Sequence, residues 1–173
     1  MTLVELTLTM VVLAVAVGGT LSSISSFVLL SDSSWERSIA YTAAQTMLEE
    51  MQAQEFNEVF ARYNDDASDA PAGVIPGSDF DVAGLDAQQA DADGIVGRVE
   101  FPTKPGEPTA LYENLVDDSF GFPRDLNADG DVDVADIDRS DDYDLLPVRV
   151  VIEWRGRSGN RRVELETVLR NNS

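Results

Sequence analysis

Apolar side chains fill the first part of the chain almost without interruption. The stretch 6–30 contains 25 residues and no charge; as a helix it would run ~37 Å and could cross a bilayer with some tilt. Beyond it, apolar residues recur at every fourth position among charged ones, which predicts an amphipathic helix. These residues are Trp35, Ile39, Ala43, Met47 and Met51. We therefore predict one continuous helix from about position 2 to about position 62.

The pattern changes after this helix. Aspartate, alanine, glycine and proline dominate 63–94, which predicts largely irregular structure. A short strand is expected at 95–101. The clearest alternation of apolar and polar residues comes at 148–154 and 163–169, with a glycine-containing hairpin turn between them. The predicted fold is α+β: a long N-terminal helix, apolar in its first half, that packs through its second half on a small antiparallel C-terminal sheet.

Charge divides the 173-residue chain in two. The chain has 32 acidic and 12 basic residues, a net charge of −20, yet only Glu5 is charged within 1–31. We expect an apolar helix over 1–31, as a membrane anchor or filament core, and a globular head over 32–173.

The chain has no Cys or His, which excludes disulfides, thiolate or Ser-His catalysis and ordinary zinc, copper or haem sites. No catalytic constellation stands out, so an enzyme is not expected. Nucleic-acid binding is not expected either, because the negative net charge repels the phosphate backbone.

Glu5 is an acidic side chain inside an apolar helix. Such a residue costs ~2.5–3.5 kcal/mol on membrane-insertion scales and usually has a function. No basic residue precedes Arg37, so the nearest cation is the α-amino group of residue 1, and the amino group of a neighbouring subunit is the better partner. The alternative is a plain membrane anchor with Glu5 at the headgroup boundary. A secretory signal peptide would begin with a basic segment instead.

The chain begins MTLVEL and continues as an apolar helix, and this start resembles the mature N-terminus of bacterial type IV pilins and the related pseudopilins. In that family a prepilin peptidase cuts before residue 1, the new amino group is methylated, and the glutamate pairs with residue 1 of an adjacent subunit. The resemblance implies that Met1 is a processed residue rather than a start codon and that Glu5 directs assembly. It implies as partners other copies of the chain, prepilin peptidase, the inner-membrane assembly machinery and, before assembly, the membrane.

Two features depart from the family pattern. Gly18 and Gly19 lie near the place where many pilins have a helix-kinking proline. Adjacent glycines cost about 1 kcal/mol each relative to alanine, so the helix is expected to stretch or melt there in a fibre; close packing of helices against small residues is the alternative. The disulfide that closes a C-terminal surface loop in many pilins is also missing, so something else must hold that region.

Segment 125–136 has the spacing of an EF-hand calcium loop. Gly130 stands at position 6, where such a loop turns sharply, and Asp131 at position 7 would contribute its backbone carbonyl. The side-chain ligands at positions 1, 3, 5, 9 and 12 would be Asp125, Asn127, Asp129, Asp133 and Asp136. The pattern is similar to the loop of dockerin modules, but without a following helical pattern, so cohesin binding is not expected. Major pseudopilins of type II secretion have a calcium site near the C-terminal sheet, so the resemblance favours calcium in place of the disulfide.

A solvated acidic loop is the alternative to a calcium site, because 117–144 carries 11 aspartates against two arginines. The last 29 residues reverse the charge, with six arginines against three glutamates. These arginines could meet an acidic neighbour or form cross-strand Arg-Glu pairs within the hairpin.

The sequence thus predicts a subunit of an extracellular type IV pilus-like filament, stabilised by calcium and held in the inner membrane before assembly. The alternatives are a periplasmic pseudopilin of a type II secretion system and a membrane-anchored, calcium-dependent adhesin.

Overall fold

A computed structural model describes residues 2–66, 68, 77–88, 94–157 and 159–171, with the backbone only at 25, 26, 28 and 29. Met1 and parts of the predicted irregular segment lie outside the described residues. The chain separates into two compact units, Met1–Ser38 and Ile39–Ser173. The division falls within a single helix, α1 (Leu3–Gln52).

The first unit contains the N-terminal part of α1. Within it, Leu3–Ile24 has a mean hydropathy of 2.0, and none of it is buried. This segment is long and apolar enough to cross a membrane, a property that membrane anchors and signal sequences share. The helix continues without interruption through Gly18 and Gly19.

The second unit contains a four-stranded antiparallel sheet. Its strands are β1 (Asp79–Phe80), β2 (Gly97–Glu100), β3 (Leu145–Gly156) and β4 (Gly159–Arg170), and they lie in the order β1-β2-β3-β4. The α+β prediction is confirmed. The C-terminal hairpin is longer than its alternation pattern indicated, because pairing continues to Gly156 opposite Gly159. Strand β1 lies within the segment that we expected to be irregular.

The core of the second unit lies between one face of the sheet and helical residues. The predicted inward-facing residues of β3 are essentially inaccessible to solvent; they are Val148, Val150, Ile152 and Trp154. Ala40, Ala44 and Met51, from the C-terminal part of α1, belong to the same apolar cluster. The C-terminal part of α1 therefore contributes to the core. Of the residues in the predicted four-residue spacing, Met51 is buried, Ile39, Ala43 and Met47 are partly buried, and Trp35 is 61% exposed.

The helix is not continuous to residue 62, contrary to the prediction. It ends at Gln52, Glu55 has extended backbone (φ −64°, ψ 124°), and a second helix, α2, spans Phe56–Tyr63. Residues 53–55 are Ala, Gln and Glu, which favour helix, so the local sequence has no stop signal. The break instead accompanies burial of Val59, Phe60 and Tyr63 in the core.

A close contact between a ring and a glycine holds β1 against β2. Phe80 pairs with Gly97 across the two strands, and a Cβ atom added at Gly97 would come within 2.4 Å of the Phe80 ring. Only glycine leaves room for the ring there. The neighbouring pair, Asp79 and Arg98, forms an ion pair at 3.0 Å.

Candidate functional site

The predicted calcium loop has a turned backbone. Gly130 has a φ of 92° and Ala128 a φ of 59°, both in the left-handed region, where a residue other than glycine costs roughly 1–2 kcal/mol. The backbone N–H of Gly130 donates to Oδ2 of Asp125 at 2.9 Å. The first and sixth positions of the loop are therefore tied together, with glycine at the turn as the EF-hand spacing predicts.

The structure brings together Asn127 and Asp129, the second and third predicted side-chain ligands. Asn127 donates its side-chain amide to Asp129 at 3.0 Å and accepts the Asp129 N–H at 3.2 Å. The N–H of Asp131 donates to Oδ1 of Asp129 at 2.9 Å. This bond first, and Asn127 second, lower the pKa of Asp129, so its carboxylate stays ionised. Oδ1 of Asp125 is buried and has no hydrogen-bond partner among the described residues.

The last two predicted ligands lie in other contacts. Asp133 forms an ion pair with Arg139 at 2.7 Å, and Asp136 forms one with Lys104 at 2.5 Å. Asn114 also donates to Asp136, at 2.8 Å. The bond from Lys104, followed by that from Asn114, lowers the pKa of Asp136.

The fit to a metal ion is therefore partial. Asp125, Asn127 and Asp129 offer oxygen atoms to a hard cation, whereas Asp133 and Asp136 face cations of the chain. Across the described ranges, no three acidic side chains are grouped closely enough to hold a metal ion.

Glu113 organises the loop and was missed by the sequence analysis. Its side chain is 1% exposed. Oε1 accepts the N–H groups of Leu126 at 2.8 Å and Asn127 at 3.3 Å, and Oε2 accepts the N–H of Asp133 at 3.0 Å. A buried carboxylate needs such donors to offset its lost hydration. No local pattern marked Glu113, because it lies 12 positions before the loop begins.

Leu126 links the loop to the sheet. Its side chain is fully buried, and its carbonyl oxygen accepts the N–H groups of Asp144 and Leu145, both at 2.8 Å. Leu145 is the first residue of β3. The loop is thus hydrogen-bonded at one end to the start of the longest strand pair.

Glu5, the predicted assembly residue, lies exposed in the first turn of α1. Its backbone N–H lies 3.0 Å from the carbonyl oxygen and 3.4 Å from the hydroxyl of Thr2. The spacing Thr-x-x-Glu is that of a helix capping box, a signal that the sequence analysis did not use. The contacts at the helix start thus run from the Glu5 backbone to Thr2, and a carboxylate in the first turn is favoured by the helix dipole.

Gly18 and Gly19 lie within regular helix. Apart from the helix's own backbone and the adjacent residues, a methyl group added at either position would meet no heavy atom of the described residues within 4 Å. Melting of the helix at these glycines in a fibre stays a prediction.

Arginine and glutamate pair across the C-terminal hairpin. Arg149 lies 2.6 Å from Glu166, directly opposite in the ladder, and Arg162 lies 3.3 Å from Glu153, also opposite. Arg149 also donates to the carbonyl oxygen of Ser119 at 3.0 Å. These contacts support the intramolecular interpretation of the basic C-terminal segment.

Comparison with known proteins assigns no family: no protein-family model, no curated protein and no solved structure matches the chain. Two features of the chain itself bear on its function: the exposed apolar helix and the acidic loop.

Proposed function

We propose that this protein is the subunit of an extracellular type IV pilus-like filament, which assembles through its N-terminal helix and binds calcium in its head. The chain would lie in the inner membrane before assembly and on the cell surface afterwards. A pseudopilin of a type II secretion system would use the same helix in a short periplasmic fibre.

The exposed apolar segment of α1 carries this proposal. Every side chain that the structure describes between Leu3 and Leu30 is exposed. So much apolar surface is unfavourable in water and marks a membrane or protein contact. The same helix continues to Gln52, where it contributes to the core of the second unit. The exposed apolar segment and core residues such as Met51 thus belong to the same helix. This continuity supports a permanent anchor or assembly element over a removable signal sequence.

Calcium is the second part of the proposal. Asp125, Asn127 and Asp129 provide oxygen ligands, and the buried Oδ1 of Asp125 lacks a hydrogen-bond partner among the described residues. Calcium prefers such oxygen ligands. When bound, it would neutralise carboxylates that otherwise repel one another within the loop.

Electron microscopy of filaments sheared from cells that express the chain tests the proposal. We expect long filaments from the wild type and none from Glu5→Ala, with membrane insertion and head folding intact, because the variant lacks the carboxylate that would pair with the amino group of a neighbouring subunit. Glu5→Gln should be milder, since it keeps a hydrogen-bond acceptor.

Thr2→Ala is the matched control for the capping role of Glu5. It removes the capping hydroxyl and keeps the carboxylate, so filaments should persist. Loss of filaments in both Thr2→Ala and Glu5→Ala would assign the effect to helix capping, and filaments in Glu5→Ala would contradict the proposal. A wild type that inserts in the membrane and never polymerises would favour the anchored adhesin, and fibres confined to the periplasm would favour the pseudopilin.

A further inference from the structure

Arg139 neutralises the predicted calcium ligand at loop position 9. Its Nη2 lies 2.7 Å from Oδ2 of Asp133, and its Nε donates to the same oxygen at 2.9 Å. The Arg139 side chain is only 16% exposed. Its backbone N–H donates to the carbonyl oxygen of Leu111 at 2.8 Å, and Nη1 lies 3.2 Å from Asp142. The guanidinium is thus held in place, unlike that of a mobile surface pair.

Lys104 neutralises the predicted ligand at position 12. Its Nζ lies 2.5 Å from Oδ1 of Asp136 and 4.0 Å from the centre of the Tyr112 ring, a cation-π distance. Asn114 donates to the same carboxylate oxygen. Lys104 lies 32 positions before Asp136, so this pair exists only because the tertiary fold brings the two segments together.

We propose that Arg139 and Lys104 are internal counter-ions that compete with calcium for Asp133 and Asp136 and thereby set the calcium affinity of the loop. This inference rests on the calcium binding proposed above. No ion pair within the described residues has to be broken before Asp125, Asn127 and Asp129 can serve as ligands. Oδ2 of Asp133 and Oδ1 of Asp136 become available only when they leave Arg139 and Lys104. Removing either cation lowers the cost of that exchange.

Calcium titration of the full chain in detergent, by isothermal calorimetry, tests this competition. Arg139→Gln and Lys104→Gln should each bind calcium about fivefold more tightly than the wild type, the factor that corresponds to the upper end of a surface ion pair. Arg139→Lys keeps the charge and should remain close to wild type. Arg98→Gln is the control for net charge, because it removes a cation from a pair with Asp79 that includes no loop residue.

The outcomes separate the competition from calcium binding itself. Tighter binding in the two loop variants than in Arg98→Gln supports the competition, even if binding by the wild type is too weak to measure. Equal calcium affinity in all the chains overturns the competition and leaves calcium binding intact. Absence of binding in every chain overturns both, while the filament proposal is still decided by Glu5→Ala.

Discussion

At the scale of single residues, Glu113 has the largest structural role in the acidic loop. It is a buried carboxylate that accepts three backbone N–H groups from both ends of the loop. A hydrogen bond to a charged group contributes about 1.5–3 kcal/mol, and a buried donor left without a partner costs ~1–3 kcal/mol. Glu113 therefore holds the loop backbone from outside the loop.

We predict that Glu113→Gln destabilises the second unit by about 2 kcal/mol, because the amide group turns a donor toward backbone donors. Glu113→Ala should cost more, since all three N–H groups lose their acceptor. Thermal unfolding of the full chain in detergent measures both. Glu49→Gln, on an exposed stretch of α1, is the matched control and should unfold at the wild-type temperature. A wild-type unfolding temperature in Glu113→Ala would show that the loop does not depend on this carboxylate.

At the scale of secondary structure elements, Tyr143 fixes the short helix that follows the break. Its hydroxyl donates to the carbonyl oxygen of Phe56 at 2.8 Å and accepts the N–H of Phe60 at 3.4 Å. The Phe56 and Tyr143 rings lie 5.0 Å apart, and the Phe60 ring meets Phe101 edge-on at 5.2 Å. One side chain beside β3 thus contacts the first turn of α2 by both hydrogen bonds and ring packing.

Tyr143→Phe should destabilise the second unit by about 1–2 kcal/mol, because the backbone groups of Phe56 and Phe60 lose their hydrogen bonds to the phenol while the ring packing remains. Burial raises the pKa of Tyr143 to about 12. The folded state therefore favours the neutral phenol, and its contribution to stability is present below pH ~10 and lost as the pH rises through about 12.

Urea unfolding of the full chain at pH 7 and pH 11 measures both effects. Tyr143→Phe should lose less stability than the wild type between these two values, because it has no phenol to ionise there. Tyr41→Phe, at an exposed site on α1, should match the wild type at both. Equal pH dependence in Tyr143→Phe and wild type would mean that other tyrosines cause the alkaline loss.

At the scale of the whole molecule, the net negative charge favours the binding of cations. The net charge is −20, and 117–144 alone carries 11 aspartates against two arginines. Like charges at this density destabilise the compact state. Internal cations relieve part of the repulsion, and an ion that binds only the folded state would relieve more.

We predict that the full chain in detergent unfolds at a lower temperature in chelator than in millimolar calcium. Calcium at 100 times its dissociation constant would contribute ~2.7 kcal/mol, and magnesium should substitute poorly because it requires a tighter octahedral site. Changing Asp125 and Asp129 together to Ala should remove the difference.

The matched control changes Asp118 and Asp141 to Ala, which removes two exposed carboxylates from the same acidic segment outside the loop. Its calcium effect should equal that of the wild type. If both double variants lose the effect equally, calcium acts by general screening. If the wild type shows no effect, the loop is only a solvated acidic segment.

The sequence by itself determined the features that depend on neighbouring residues. Alternation at Val148, Val150, Ile152 and Trp154 predicted the buried face of β3, because successive side chains of a strand point to opposite faces. The four-residue spacing of apolar residues over 35–51 predicted the helix, because residues four positions apart lie on the same face of a helix. Gly130 marked the turn of the loop, since glycine adopts a positive φ without steric cost.

Only the tertiary structure decided the contacts between segments that are distant in sequence. Ala, Gln and Glu at 53–55 favour helix, yet Tyr143, 87 positions beyond Phe56, stabilises a separate α2. The acidic spacing indicated five side-chain ligands, but Lys104 and Arg139 approach two of them, and Glu113 holds the loop from outside it. Spacing along the chain specifies which side chains share a local conformation. Packing of the whole unit determines which charges are neighbours, and the strength of an ion pair depends on that distance and on burial.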